Sequence, residues 1–78
     1  MKLPRDVSGD RLIRALIGLG YEVIRQKGSY VKLKHAGPPR HMVSVPRHSV
    51  LKVGTLQGLL NEVALMQSRS VGSLVQLL

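Results

Sequence analysis

The chain has 78 residues, 44% of them apolar, no cysteine, and twelve Lys and Arg against four Asp and Glu, a formal charge of +8. A chain of this length builds one small domain with a modest core, so any active site it carries is expected to be shallow. Without cysteine there is neither a disulfide framework nor a zinc knuckle, which suits a reducing cytoplasm.

The charge is uneven. Residues 1–52 hold eleven basic and three acidic side chains, whereas residues 53–78 hold only Arg69 and Glu62. Excess positive charge attracts polyanions by neutralising phosphates and releasing their counterions. An amphipathic membrane binder would instead gather its cations on one helix face. Pro4 and Asp6 interrupt the place where a signal peptide has its apolar stretch, and no window approaches the roughly 18 apolar residues of a membrane span. The expected partner is nucleic acid, and the chain is expected to be soluble and untargeted.

In chain order, Ser8 stands as an N-cap before Leu12, Ile13, Leu16, Ile17 and Leu19, a helical stripe that Gly20 ends. Tyr21, Val23 and Arg25 then alternate with Glu22, Ile24 and Gln26 as a strand, and Lys27-Gly28-Ser29 signals a tight turn. From Tyr30 to His35 a second strand turns Val31, Leu33 and His35 to the core and Tyr30, Lys32 and Lys34 to water or phosphate. Ala36-Gly37-Pro38-Pro39-Arg40 closes a hairpin, and His41 to Val45 alternates again, with Val43 and Val45 inward, until Pro46 stops it.

Residues 47–54 read as a loop, and Thr55 stands as the cap of a second helix with Leu56, Leu59, Leu60, Val63 and Ala64 on its apolar side, ending near Met66 or Gln67. Ser70 caps a last apolar piece, Val71 to Leu78, too short to hold unless it docks on the core. The expected fold is α+β: helix, three antiparallel strands, helix, with both helices on one sheet face, and a short helical extension. One domain spans 1–78, with its core at 8–67 and the extension at 68–78. Double-stranded-RNA-binding domains share this element order, which leaves the face with Tyr30, Lys32 and Lys34 open.

Lys27, Gly28 and Ser29 followed by Lys32 and Lys34 read as a phosphate cradle, or as an ordinary hairpin whose lysines solvate an exposed strand and discourage edge pairing. Arg47 and Lys52 extend the same cationic set. His35, His41 and His48 lack the spacing and companion ligands of a metal site. Acid–base chemistry suits them better: metal-free RNA cleavage needs a group to take the 2′-hydroxyl proton and another to protonate the leaving oxygen, and imidazole with a pKa of about 6.5 does either. His48, in a loop, is placed to reach a substrate; His35 is either a second such group or a core histidine held by backbone. His41 carries no clear signal. With Tyr21 and Tyr30 as the only aromatics, sheet-face readers that stack several rings are disfavoured. Residues 53–68 contain no Lys or Arg, which argues against a helix-turn-helix reader.

Taken together, Gly20-Tyr21, Arg25-Gln26-Lys27-Gly28-Ser29, Lys34-His35, Val45-Pro46-Arg47-His48 and Lys52-Val53-Gly54-Thr55-Leu56 resemble the HicA family of toxins over residues 8 to about 66. The resemblance implies a double-stranded-RNA-binding-like fold, cofactor-free and metal-independent cleavage of mRNA, and neutralisation by a HicB-type antitoxin. The family typically places a histidine, taken to be catalytic, after the Gly-Ser pair; here that position is Tyr30. A phenol with a pKa of about 10 is ionised in about one molecule per thousand at pH 7, so it is a weaker base than imidazole, although it can still stack on a base or donate to a phosphate oxygen. Three readings follow: an RNA endonuclease using Tyr30 with His48 or His35, a relative that binds RNA or antitoxin without cutting, and a basic domain whose partner is an acidic protein.

Overall fold

The structure, a computed structural model, describes residues 3–37 and 40–78. Helix α1 (Gly9–Gly18) is followed by strands β1 (Tyr21–Lys27), β2 (Tyr30–His35) and β3 (His41–Pro46), then helices α2 (Val53–Gln67) and α3 (Val71–Val75). The strands form one antiparallel sheet in the order β1-β2-β3. This is the α-β-β-β-α arrangement of a double-stranded-RNA-binding-like fold. The connection through Pro38 and Pro39, expected to break the strand, falls outside the described residues.

Local signals set most boundaries. Ser8 caps α1, its hydroxyl accepting from the Arg11 amide at 3.1 Å, and Gly20 takes a φ of +100° just past the helix, where a β-carbon would be strained. The β1–β2 hairpin turns through Gly28 and Ser29, with Gly28 at φ +58° in the first loop position, where glycine is favoured. Ser70 caps α3 through the Ser73 amide.

Two boundaries differ from the sequence expectation. Helix α2 begins at Val53 with Lys52 as its N-cap, so Thr55 lies inside the first turn and caps nothing. The start is fixed from outside the helix, because the Leu51 amide donates to the Val7 carbonyl at 2.7 Å. In β1 the register shifts between Val23 and Arg25, leaving Ile24 without a partner in β2. This bulge reverses the facing of everything after it. Arg25 stands opposite Lys32, and Lys27 opposite Tyr30, on the outer sheet face rather than on the face of Tyr21.

The inner face carries Tyr21, Val31, Leu33, Val43 and Val45, packed beneath Leu12 and Leu16 of α1 and Leu56, Leu60 and Val63 of α2. Each such aliphatic side chain contributes about 1.5–3 kcal/mol of burial. Leu74 of α3 joins this core, and Arg11 donates to the Leu78 carbonyl at 2.7 Å, so the C-terminal piece is tied down at its middle and at its last residue. With the helices occupying the inner face, the outer face is left to solvent.

Candidate nucleic-acid interface

Cross-strand partners share a face, so the outer face can be followed row by row. Lys27, Tyr30 and Pro46 form the row at the hairpin end; Arg25, Lys32 and Ser44 form the next; Glu22, Lys34 and Met42 lie beyond. The first two rows enclose a shallow depression lined by Arg25, Lys27, Tyr30, Lys32 and Ser44. A second depression continues from it, lined by Tyr30, Ser44, Pro46, His48, Lys52 and Thr55 among others. Tyr30 and Ser44 belong to both. Tyr30 is 54% exposed and stands at the junction, its hydroxyl free of any hydrogen bond among the described residues.

The loop bearing His48 is pinned at its backbone while its ring remains in solvent. The Arg47 amide donates to the Ser29 carbonyl at 2.6 Å, and the Gly9 amide donates to the His48 carbonyl at 2.9 Å. Gly9 is required by space: a β-carbon there would collide with the Pro46 carbonyl oxygen. The Arg47 guanidinium is held by both Asp10 carboxylate oxygens, at 2.7 and 3.3 Å. That hydrogen-bonded pairing holds the Asp10 carboxyl below its ordinary pKa; desolvation opposes it, and the charges of Arg47 and then Arg14 add to it. The same pair raises the pKa of Arg47.

The expected site residues therefore divide. Lys27, Lys32, Lys52, Tyr30 and His48 line one continuous surface, whereas Gly28 and Ser29 form the turn joining Lys27 to Tyr30 and lie outside its lining. Arg47 is committed to Asp10 and fixes the loop. Lys34 lies on the same face but in the next row, beside Met42. His35 is not brought to the others. It sits at the far end of β2 from Tyr30, about 17 Å along the strand, with both ring nitrogens engaged. Its Nδ1 accepts from the Gly37 amide at 3.0 Å, so its Nε2–H donates to the Leu19 carbonyl at 3.2 Å.

Two contributions were not anticipated. Arg25 reaches the surface only because of the bulge. His41, without a signal in the sequence, is 8% exposed and links three elements: its Nδ1 meets the Tyr21 hydroxyl at 2.6 Å and its Nε2 meets Glu62 Oε1 at 2.9 Å. Gln67 donates to the Tyr21 oxygen at 3.2 Å. That leaves the phenol hydrogen for His41 Nδ1 and the Nε2 hydrogen for Glu62, a chain in which each hydrogen is used once. Burial, the largest influence, raises the Tyr21 pKa; the Glu62 charge adds to this and the Gln67 hydrogen bond opposes it. This cluster is framework, on the inner face.

The surface suits an anion. Arg25, Lys27, Lys32 and Lys52 surround it, and the adjoining start of α2 has no acidic residue in its first turn and no side-chain cap, so its amides add positive potential. Among the described residues no group of three or more metal-ligating side chains occurs, and no helix is long and apolar enough to cross a membrane.

Fold and surface together define a small basic α+β domain with an open cationic sheet face. A family model described as "HicA toxin of bacterial toxin-antitoxin" matches residues 9–65, and the chain belongs to that family of toxins. No curated protein and no solved structure gives a significant match.

Proposed function

We propose that this chain is the toxin of a toxin-antitoxin pair that acts in the cytoplasm as a metal-independent mRNA endonuclease, and that an antitoxin of the HicB type neutralises it. The observation that carries this reading is the meeting of Tyr30 and His48 along one surface ringed by Arg25, Lys27, Lys32 and Lys52. Cleavage through the 2′-hydroxyl needs one proton acceptor and one proton donor near the same phosphate. His48, with a free imidazole on a backbone tied at both sides, takes the acceptor's part. Tyr30 donates from its phenol toward the leaving 5′-oxygen or a phosphate oxygen. The four cations hold the flanking phosphates, and Lys34 extends their track by one row.

Tyr30 also supports a second reading, in which the surface binds RNA or the antitoxin without cutting. Incubation of the purified protein with a long unstructured RNA in EDTA separates the two. The endonuclease reading expects fragments, lost on Tyr30→Ala. Intact RNA at high protein concentration, alongside a Tyr30→His variant that cuts, would reject native cleavage and leave binding.

A further inference from the structure

Past the cationic rows, the outer sheet face holds another open depression, of about 580 Å³, lined by Ile24, Lys34, Arg40, His41 and Met42. Its apolar walls face water: Ile24 is 47% and Met42 50% exposed. Ile24 owes its place to the bulge, where two consecutive β1 residues meet one position of β2. The bulge thus separates the outer face into a cationic half headed by Arg25 and an apolar half headed by Ile24.

The lining selects among ligands. A nucleobase needs an aromatic platform or uncommitted donors and acceptors at its edge, and the one ring in the lining, the His41 imidazole, is buried against Tyr21 and Glu62 and offers no exposed face. The two nitrogens of His41 are spent on Tyr21 and Glu62. The remaining polar groups are the cations of Lys34 and Arg40, neither of which takes part in the two ion pairs found among the described residues. Glu22, opposite Lys34 in the register, is the carboxylate nearest in the sheet. An aliphatic side chain finds matching walls, and carboxylates on either side of it find cations on a protein of net charge +8.

We infer that this depression docks an extended acidic segment of a partner protein, which inserts one aliphatic side chain between Ile24 and Met42 and sets carboxylates against Lys34 and Arg40. Lys34 belongs both to this depression and to the proposed RNA track, so the segment and RNA compete for it. The docking stands without the ribonuclease reading; the competition rests on it.

The probe is a labelled peptide with one leucine between two pairs of glutamates, titrated into methyl-labelled protein. The Ile24 and Met42 methyl resonances are expected to shift saturably. A peptide with alanine in place of leucine should bind about tenfold more weakly, in keeping with the lost apolar area. Met42→Ser, at an exposed position, should weaken the leucine peptide about fivefold and leave RNA affinity unchanged, while Lys32→Ala weakens RNA more than peptide. No binding, equal affinity for the two peptides, or loss of RNA affinity in Met42→Ser would overturn the inference. Peptide docking as described with no RNA binding would retain the docking surface and remove the ribonuclease reading instead.

Discussion

The two ends of β2 use the same side-chain types for opposite purposes. At its C-terminal end, Tyr21, His35 and His41 interlock: Tyr21 meets both imidazoles edge to face, with ring centroids 5.0 and 5.7 Å apart, and each ring nitrogen has a partner. At its N-terminal end, Tyr30 and His48 stand in solvent with no partner among the described residues. A phenol and an imidazole whose hydrogen bonds are satisfied internally hold elements together. The same pair left unsatisfied, on a backbone that is itself satisfied, is available to a substrate.

Substitution of the histidines should expose that difference. His48→Ala is expected to lower RNA cleavage about a hundredfold, the usual contribution of a positioned acid or base, with an unchanged melting curve. His41→Ala should do the reverse: it strands the Tyr21 hydroxyl and Glu62 and opens a cavity, for a loss of about 2 kcal/mol in urea unfolding. Gly9→Ala lies between them. Relief of its collision with the Pro46 carbonyl must move the loop, so it should cost about 1–3 kcal/mol and also reduce cleavage, whereas Gly58→Ala, with open space around it, should not.

Smaller effects sharpen the same contrast. Arg25→Ala should reduce the slope of log binding constant against log salt by about 0.7, the value for one single-strand phosphate contact. Asp10→Asn tests the tether of the His48 loop. Because Arg47 depresses the folded-state pKa of Asp10, the pair stabilises the protein above the ordinary carboxyl value of 3.8, and this is lost as the pH falls through the lower folded value. The variant should therefore show a shallower acid limb in stability against pH.

Much of the fold was legible because its signals are local. Ser8, Gly20, Gly28 and Ser70 act on neighbouring residues, and the alternation of β2 and β3 survives intact in the sheet. The bulge was not legible: Tyr21 to Lys27 alternates acceptably in either facing, and only pairing with β2 decides where one residue is skipped. Strict alternation groups Arg25 with Tyr21 and Val23, whereas the folded sheet sets it opposite Lys32 on the outer face, and the partition of that face follows from the same skipped residue. Thr55 looked like a cap because its residue type is right, but the contact between Leu51 and Val7 starts the helix earlier. His41 could not be read, since its partners lie 20 and 21 residues away in sequence. Of the expected site, the cations were visible as charge, whereas the commitment of Arg47 to Asp10 and of His35 to backbone depends on the folded chain.

Amide resonances followed while a short uridine-rich RNA is titrated in give the most direct test of the outer face as the RNA surface. The largest changes should fall on Arg25, Lys27, Tyr30, Lys32, Ser44, His48 and Lys52, with α1 and the far side of α2 unmoved. Changes centred on the helices, or on His35 and His41 with Tyr30 and His48 silent, would contradict it.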